Sequence, residues 1–125
     1  MPETQVHYRQ LSFDVVECAQ KVHRVLGPGF PESVYQKALS FELAKAKIPF
    51  EGQKAVEVFY EAILCGEFRM DIVVDERIVL ELKALERLTD EHVAQALSYL
   101  KATGIKLAIL LNFGAKSLET KRVVL

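Results

Sequence analysis

Residues 67–74 (EFRMDIVV) and 78–84 (IVLELKA) flank the polar triplet DER at 75–77, and this stretch decides the fold. Ile, Val and Leu are frequent in both flanks, which is typical of β-strands, and the triplet indicates a turn. If three residues form the turn, the register places Asp71 opposite Glu81. The sequence therefore predicts an antiparallel hairpin in which two carboxylates are direct cross-strand neighbours.

The alternation of side chains along both strands supports this register. Because successive residues of a strand face opposite sides, a shift of one residue would mix apolar and charged side chains on each face. In the predicted register one face carries Met70, Ile72, Val74, Ile78, Leu80 and Leu82, and the other carries Arg69, Asp71, Glu81 and Lys83.

The pairing of Asp71 with Glu81 indicates a metal site. Opposed Cβ atoms lie about 4.5–5.5 Å apart, and two carboxylates that close repel each other unless a proton or a cation lies between them. Mg²⁺ or Mn²⁺ would remove the repulsion, because such ions prefer oxygen ligands. Lys83 shares the face, where its side chain could orient or deprotonate water, or stabilise charge on a phosphate. The solvent-exposed face of an ordinary hairpin would also carry such charges, so both interpretations remain open.

The composition predicts one globular domain spanning residues 1–125, since half the residues are apolar and 26% are charged. No apolar run reaches the roughly 18 residues that a membrane span needs, and residues 1–10 do not resemble a signal peptide. Two cysteines, Cys18 and Cys65, fit a reducing compartment. We therefore expect a cytoplasmic protein without a membrane span.

The charge balance predicts weak, salt-sensitive binding to nucleic acid. The chain has 16 basic and 17 acidic residues, a net charge of −1, and no basic cluster. Scattered candidates for holding a phosphate backbone are Arg69, Lys54, Lys106, Lys121 and Arg122.

Helical spacing of apolar residues predicts helices on both sides of the strand region. Residues 12–26 form the first such pattern, which Gly27-Pro28-Gly29 ends, and residues 32–47 form the second. His23 is interpreted as a solvated imidazole near the end of the first helix. A third helix, capped by Thr89 or Asp90, is predicted to run to Thr103, where Gly104 ends it.

The strands on either side of the third helix are predicted to be parallel neighbours. A helical crossover of some twenty residues separates the strand at 78–84 from the apolar strand at 106–113. Residues 118–125 add a short edge strand. The order of elements predicts an α+β fold, a mixed central sheet (antiparallel hairpin plus a parallel strand) flanked by helices.

Together these residues resemble the PD-(D/E)XK nuclease superfamily, in which one strand carries Asp and the next carries Glu-x-Lys, as Asp71 and the triplet at 81–83 do here. More narrowly, residues 29–35 (GFPESVY) resemble the signature of the GxxExxY family of small prokaryotic proteins within that superfamily. Further segments that look like this family are 79–84, 95–101 and 111–114, so the resemblance covers roughly residues 12–125.

The resemblance implies a restriction-endonuclease-like core and assigns roles to single residues. Asp71 and Glu81 would be metal ligands, the Leu82 carbonyl a third ligand and Lys83 the catalytic amine. Glu32 would contact a metal or its water. Gln95 and Tyr99 match the Gln-x-x-x-Tyr motif of the RecB-like branch, in which they orient the lysine and the substrate.

The resulting expectation is a Mg²⁺- or Mn²⁺-dependent nuclease that hydrolyses phosphodiesters of nucleic acid, and the small size suggests a homodimer. The chief alternative is a catalytically inactive protein of the same fold, acting as a regulatory or nucleic-acid-binding subunit. A third hypothesis is a hydrolase that acts on another phosphate ester. The sequence does not choose between DNA and RNA.

Overall fold

The computed structural model describes residues 8–125 of the chain, which form three helices and five strands. The strands make one sheet in the order β1-β2-β3-β4-β5, in which only β3 and β4 are parallel. The α+β fold with a mixed sheet is therefore confirmed, and so are the parallel central pair and the edge strand at the C-terminus. The elements are α1 (Arg9–Leu26), α2 (Glu32–Lys45), β1 (Phe50–Tyr60), β2 (Ile63–Val74), β3 (Ile78–Lys83), α3 (Asp90–Thr103), β4 (Leu107–Asn112) and β5 (Glu119–Val124).

Helices cover both faces of the sheet. Helices α1 and α2 pack on one face, where their buried residues join those of β2, β3 and β4 in one core cluster. Helix α3 packs on the other face, where Ala96 and Leu100 meet a second cluster that includes Val79 and Leu110. Strand β3 is buried on both faces, so any polar side chain on it enters an environment that excludes water.

The turn between β2 and β3 follows the predicted register. Asp75 and Glu76 have positive φ angles of 51° and 57°, and the N–H of Arg77 donates to the Val74 carbonyl at 2.9 Å. The cross-strand pairs are Val74 with Ile78, Val73 with Val79 and Ile72 with Leu80. The three-residue turn is confirmed. Counted away from the turn, regular pairing between the two strands ends at Ile72, and Asp71 is the next residue of β2 in that direction.

Met70 lies on a different face from the one predicted. It packs with Val73 in the cluster under α3, whereas Ile72 packs under α1 and α2. The β1–β2 pairing skips Gln53 and Asp71, and Gln53 has a left-handed φ of 53°. Because strict alternation holds only along a regular extended strand, this interruption explains why the predicted face of Met70 was wrong.

The predicted solvated position of His23 was also wrong. Its side chain is buried, its Nε2 lies 2.9 Å from the Ala115 carbonyl oxygen, and its ring is near Phe113. The segment after β4 passes over the end of α1, and a pattern within one helix does not encode such a long-range contact.

Among residues 8–125, no helix combines the length and the apolar character that crossing a membrane requires. The interpretation of the N-terminus as lacking a signal peptide rests mostly on residues 1–7, which lie outside the described residues.

Candidate active site

Asp71 lies where β2 loses regular pairing with both neighbouring strands. Its Oδ2 accepts a hydrogen bond of 2.8 Å from the backbone N–H of Leu82 on β3. Its carbonyl oxygen accepts one of 3.0 Å from Nε2 of Gln36 on α2. Both the side chain and the backbone carbonyl of Asp71 are therefore held by hydrogen bonds that do not belong to regular strand pairing.

Glu81 is a buried acid beside Asp71. Its side chain is 4% exposed, and its Oε2 is the one buried side-chain oxygen in the described part of the chain that has no hydrogen-bond partner. Burial, and next the negative charge of Asp71, raise the pKa of Glu81 to about 8, against the opposing effect of Lys83. Burial also raises the pKa of Asp71, although the Leu82 N–H and the Lys83 charge oppose this. The two carboxyl groups therefore disfavour a second negative charge unless a cation is present.

Lys83 and Gln95 bring β3 and α3 together at this site. The Lys83 Nζ donates a 3.0 Å hydrogen bond to Gln95 Oε1. This contact orients the ammonium from the side of the helix, since the amide oxygen accepts and the lysine only donates.

Tyr99 is one helical turn after Gln95, and its ring stacks on Phe68 of β2 at a centroid distance of 4.3 Å. Burial, followed by the charges of Glu81 and Asp71, raises the pKa of the Tyr99 phenol. The phenol therefore stays protonated near neutral pH, and it lies close enough to the two acids for their charges to affect its pKa.

Two residues that the sequence singles out are not in this cluster. Glu32 is exposed in the first turn of α2. No group of three or more His, Cys, Asp or Glu side chains within residues 8–125 is arranged to hold a metal, so Glu32 does not join the two acids. Arg69 is exposed, and its Nη1 donates to the backbone carbonyl of Gln53 at 2.9 Å.

Sequence reasoning missed two polar residues that support the site. Gln36 holds the Asp71 backbone; its position four residues after Glu32 marks a polar helix face but does not identify Asp71 as its partner. Asn112 is fully buried at the end of β4, where an amide after five apolar residues was a signal of a specific hydrogen-bonding role.

The donor set fits a hard divalent cation. Two adjacent carboxyl groups disfavour a second charge, and one of them keeps an unpartnered oxygen. The N–H of Leu82 faces Asp71, and in an extended residue the carbonyl points to the same side as the N–H. Mg²⁺ is commonly bound by one or two carboxylates, with water and substrate phosphate as further ligands, so these protein groups are sufficient.

Comparison with known proteins identifies the fold and the superfamily of this chain. A solved structure titled "Crystal structure of SSO0001" is similar to this chain with a TM-score of 0.58 and 15% sequence identity, which shows the fold alone. The similarity covers 98% of this chain and 58% of that one, so this chain spans little more than half of that protein's length. No curated protein matches. The family model described as the PD-(D/E)XK nuclease superfamily matches residues 9–123, and the chain belongs to that superfamily.

Proposed function

We propose that this protein is a metal-dependent nuclease that hydrolyses phosphodiester bonds of nucleic acid. The observation that carries the proposal is the unpartnered carboxylate oxygen of buried Glu81, next to Asp71 and on the same strand as a lysine held by Gln95. A buried carboxylate oxygen without a partner costs free energy, and a structural role would not require it.

The chain's own groups would divide the work as follows. Asp71, Glu81 and the Leu82 carbonyl would hold Mg²⁺ or Mn²⁺, which when bound supplies Lewis-acid activation of water and phosphate. Lys83, oriented by Gln95, would position the attacking water through a hydrogen bond from its ammonium or neutralise charge on the phosphate. The protonated Tyr99 phenol would donate a hydrogen bond to a phosphate oxygen.

Glu32 and Arg69 would act at the margin of the site. Glu32 lies one turn before Gln36, which bonds the Asp71 backbone, and its exposed side chain would accept a hydrogen bond from water on the metal. Arg69, two residues before Asp71, would contact the phosphate backbone of the substrate. Sparse basic residues and a net charge of −1 support weak, salt-sensitive binding to nucleic acid.

The segment 29–35 supports a place in the GxxExxY family. Its Tyr35 is fully buried, and the Oη donates to the Gly27 carbonyl at 2.6 Å and accepts from the Phe30 N–H at 3.1 Å. In this interpretation Tyr35 holds the turn before α2, and Glu32 is the residue of the signature that acts in the site. The single domain of residues 1–125 and a cytoplasmic location are part of the same proposal.

We further propose that the protein is a homodimer, joined through the tip of the β1–β2 hairpin. Four large apolar side chains at this tip are 52–70% exposed, namely Phe59, Tyr60, Ile63 and Leu64. They present roughly 500 Å² of surface, more than half of the roughly 800 Å² that each partner buries in a standard interface. β1 is also an edge strand, which a second copy can extend by antiparallel pairing about a two-fold axis.

The catalytically inactive alternative is favoured by one observation, namely that the sequence contains no cluster of basic residues. A regulatory or nucleic-acid-binding subunit would keep the fold and would not require the metal. A hydrolase of another phosphate ester would keep the metal and reject nucleic acid.

Titration calorimetry of Mn²⁺ into the wild type, Asp71→Asn and Asp75→Asn tests the proposal. Asp75 is the matched control, because it lies in the turn of the same hairpin and pairs with Arg77 at 3.5 Å. We expect binding to the wild type and to Asp75→Asn, and at least a tenfold loss in Asp71→Asn, whose amide oxygen can still accept from Leu82. Equal affinity in all three, or no binding at all, would favour the inactive alternative.

A substrate panel then distinguishes a nuclease from a hydrolase of another phosphate ester. The panel contains single- and double-stranded DNA and RNA, together with simple phosphate monoesters and diesters. Cleavage of any nucleic acid that is lost in Asp71→Asn supports the nuclease. Cleavage of small esters alone would support a hydrolase of another phosphate ester.

A further inference from the structure

Asn112 is the centre of a hydrogen-bonded group on the loop that follows β3. Its side chain is fully buried, and both of its polar atoms are used twice. Oδ1 accepts from the N–H groups of Leu85 at 2.9 Å and Gly114 at 3.1 Å. Nδ2 donates to the Leu85 carbonyl and to Glu119 Oε1, each at 3.0 Å. We call Asn112, Gly114 and Glu119 the loop clamp.

The clamp holds the loop of residues 84–89 at two points. Asn112 binds the N–H and the carbonyl of Leu85, and Glu119 Oε1 also accepts from the N–H of Leu88 at 3.0 Å. Gly114 lies so close to this loop that a Cβ there would overlap the backbone of Ala84 and Leu85. Both the polar bonds and the absence of a side chain at Gly114 therefore fix the loop against the end of β4.

The loop joins the two halves of the candidate site. Lys83 immediately precedes it, and the Lys83 carbonyl accepts from the N–H of Phe113 at 2.8 Å. Thr89, one residue after Leu88, is the first residue of the turn that begins α3, which carries Gln95. The length and course of this loop thus set how β3 and α3 meet, and with them the Lys83–Gln95 contact of 3.0 Å.

An apolar residue would fill the Asn112 position at lower desolvation cost, since a buried amide is tolerated only when all its bonds are made. A fully satisfied buried network instead specifies one geometry. We propose that Asn112 is a positioning residue, which acts through Leu85 and Glu119 to hold Lys83 against Gln95. The inference rests on the proposed function, in which Lys83 is the catalytic amine, but the contact itself can be measured without catalysis.

The test uses the side-chain amide signal of Gln95 in ¹⁵N NMR spectra of the full chain without metal. Lys83→Ala supplies the signal position of an unbonded Gln95. We expect Asn112→Ala to move the Gln95 signal towards that position and to speed amide exchange of Leu85 at least about tenfold. Ile109→Ala, a core truncation on the same strand, is the stability control and should leave the Gln95 signal at its wild-type position.

A Gln95 signal that stays at its wild-type position in Asn112→Ala would overturn the proposal. A Gln95 signal that moves equally in Ile109→Ala would also overturn the proposal, because general destabilisation would then be enough to explain the shift. If Asn112→Ala does not fold, Glu119→Ala and Glu119→Gln give the answer. Glutamine keeps an acceptor for Leu88 and Asn112 and should preserve the Gln95 signal, whereas alanine should shift it; equal signals in both would overturn the proposal.

Catalysis gives an independent readout. Asn112→Ala should lower kcat and leave the half-saturating Mn²⁺ concentration unchanged, because Asp71 and Glu81 lie outside the clamped loop. If the wild type cleaves nothing, the nuclease proposal fails, and the NMR comparison still decides whether Asn112 positions Lys83.

Discussion

The carboxylate Oδ2 of Asp71 accepts a 2.8 Å hydrogen bond from the backbone N–H of Leu82, across the point where regular β2–β3 pairing has ended. A side chain thus takes the place of a backbone acceptor between the two strands. This holds Asp71 next to Glu81, and it directs the polar backbone of Leu82 towards the acids. The bond requires only an acceptor oxygen, so an asparagine at position 71 can keep the local structure while removing the charge.

Lys83→Ala should leave Mn²⁺ affinity nearly unchanged and lower kcat by about 10²–10³-fold, the typical loss when one group that stabilises the transition state is removed. The ammonium is bonded to Gln95 and is not among the metal donors. Steady-state kinetics and Mn²⁺ calorimetry on the same samples measure both quantities. Lys101→Ala, an exposed lysine in the last turn of α3, is the control and should retain wild-type kcat. Retained turnover in Lys83→Ala would assign Lys83 to the ordinary charged face of the hairpin.

Phe59→Lys combined with Ile63→Lys should convert the protein from dimer to monomer, because two charges would have to lose water in the apolar interface. Light scattering coupled to gel filtration measures the mass. Phe41→Lys is the control, since Phe41 is 64% exposed on α2, away from the hairpin tip. A wild type that elutes as a monomer at micromolar concentration, or a double variant that stays dimeric, would contradict the proposed interface.

Tyr35→Phe should destabilise the fold by about 0.5–1.5 kcal/mol, the typical net contribution of an intramolecular hydrogen bond, because the half-buried Gly27 and the exposed Phe30 would lose the hydroxyl that their backbone groups share. The hydroxyl links the Gly27 carbonyl to the Phe30 N–H, and the stacking of the ring on Phe113 at 4.7 Å would remain. Urea unfolding measures the difference. The 70% exposed Tyr60 provides the control, and Tyr60→Phe should change the free energy of unfolding by less than about 0.5 kcal/mol. A loss in Tyr35→Phe no larger than in the control would remove the structural role assigned to the hydroxyl.

Features encoded by local patterns could be predicted from the sequence. The turn at 75–77 and the register beyond it follow from alternation along two short strands, and the parallel β3–β4 pair follows from the crossover helix between them. The same register predicts that Asp71 and Glu81 lie next to each other. These features need contacts only between segments adjacent in sequence or joined by one helix.

Features that depend on long-range contacts could not be predicted. His23 is buried because the segment around Ala115, 92 residues later, passes over it, and Met70 changes face because Gln53 on β1 interrupts the pairing. The support of Asp71 by Gln36 joins a helix to a strand 35 residues away. No periodicity within a single element carries information about such contacts.

The stability of the metal-free protein should fall as pH rises from about 5 to 8, because the pKa of Glu81 is raised from its ordinary value of 4.5 to about 8. Below pH 4.5 both the folded and the unfolded chain hold this proton. Between pH 4.5 and about pH 8 the unfolded chain releases the Glu81 proton while the folded chain keeps it. The stabilisation is therefore lost as the pH approaches the pKa of Glu81 in the folded protein. The raised pKa of Asp71 acts in the same direction. A change of even 1 kcal/mol would lower Tm by roughly 4 °C in a domain of this size.

Thermal unfolding in the presence of a chelator, at pH values from 5 to 8.5, measures this dependence. Glu81→Gln should flatten the profile, since the amide carries no proton to lose, and Glu57→Gln on the exposed part of β1 should retain the wild-type slope. Mn²⁺ should restore Tm most at the alkaline end, where both carboxyl groups are ionised and a bound cation offsets their repulsion. A wild-type profile that is flat or rises with pH would show that the two acids are solvated well enough to carry both charges, and the electrostatic reason for a cation between them would be lost.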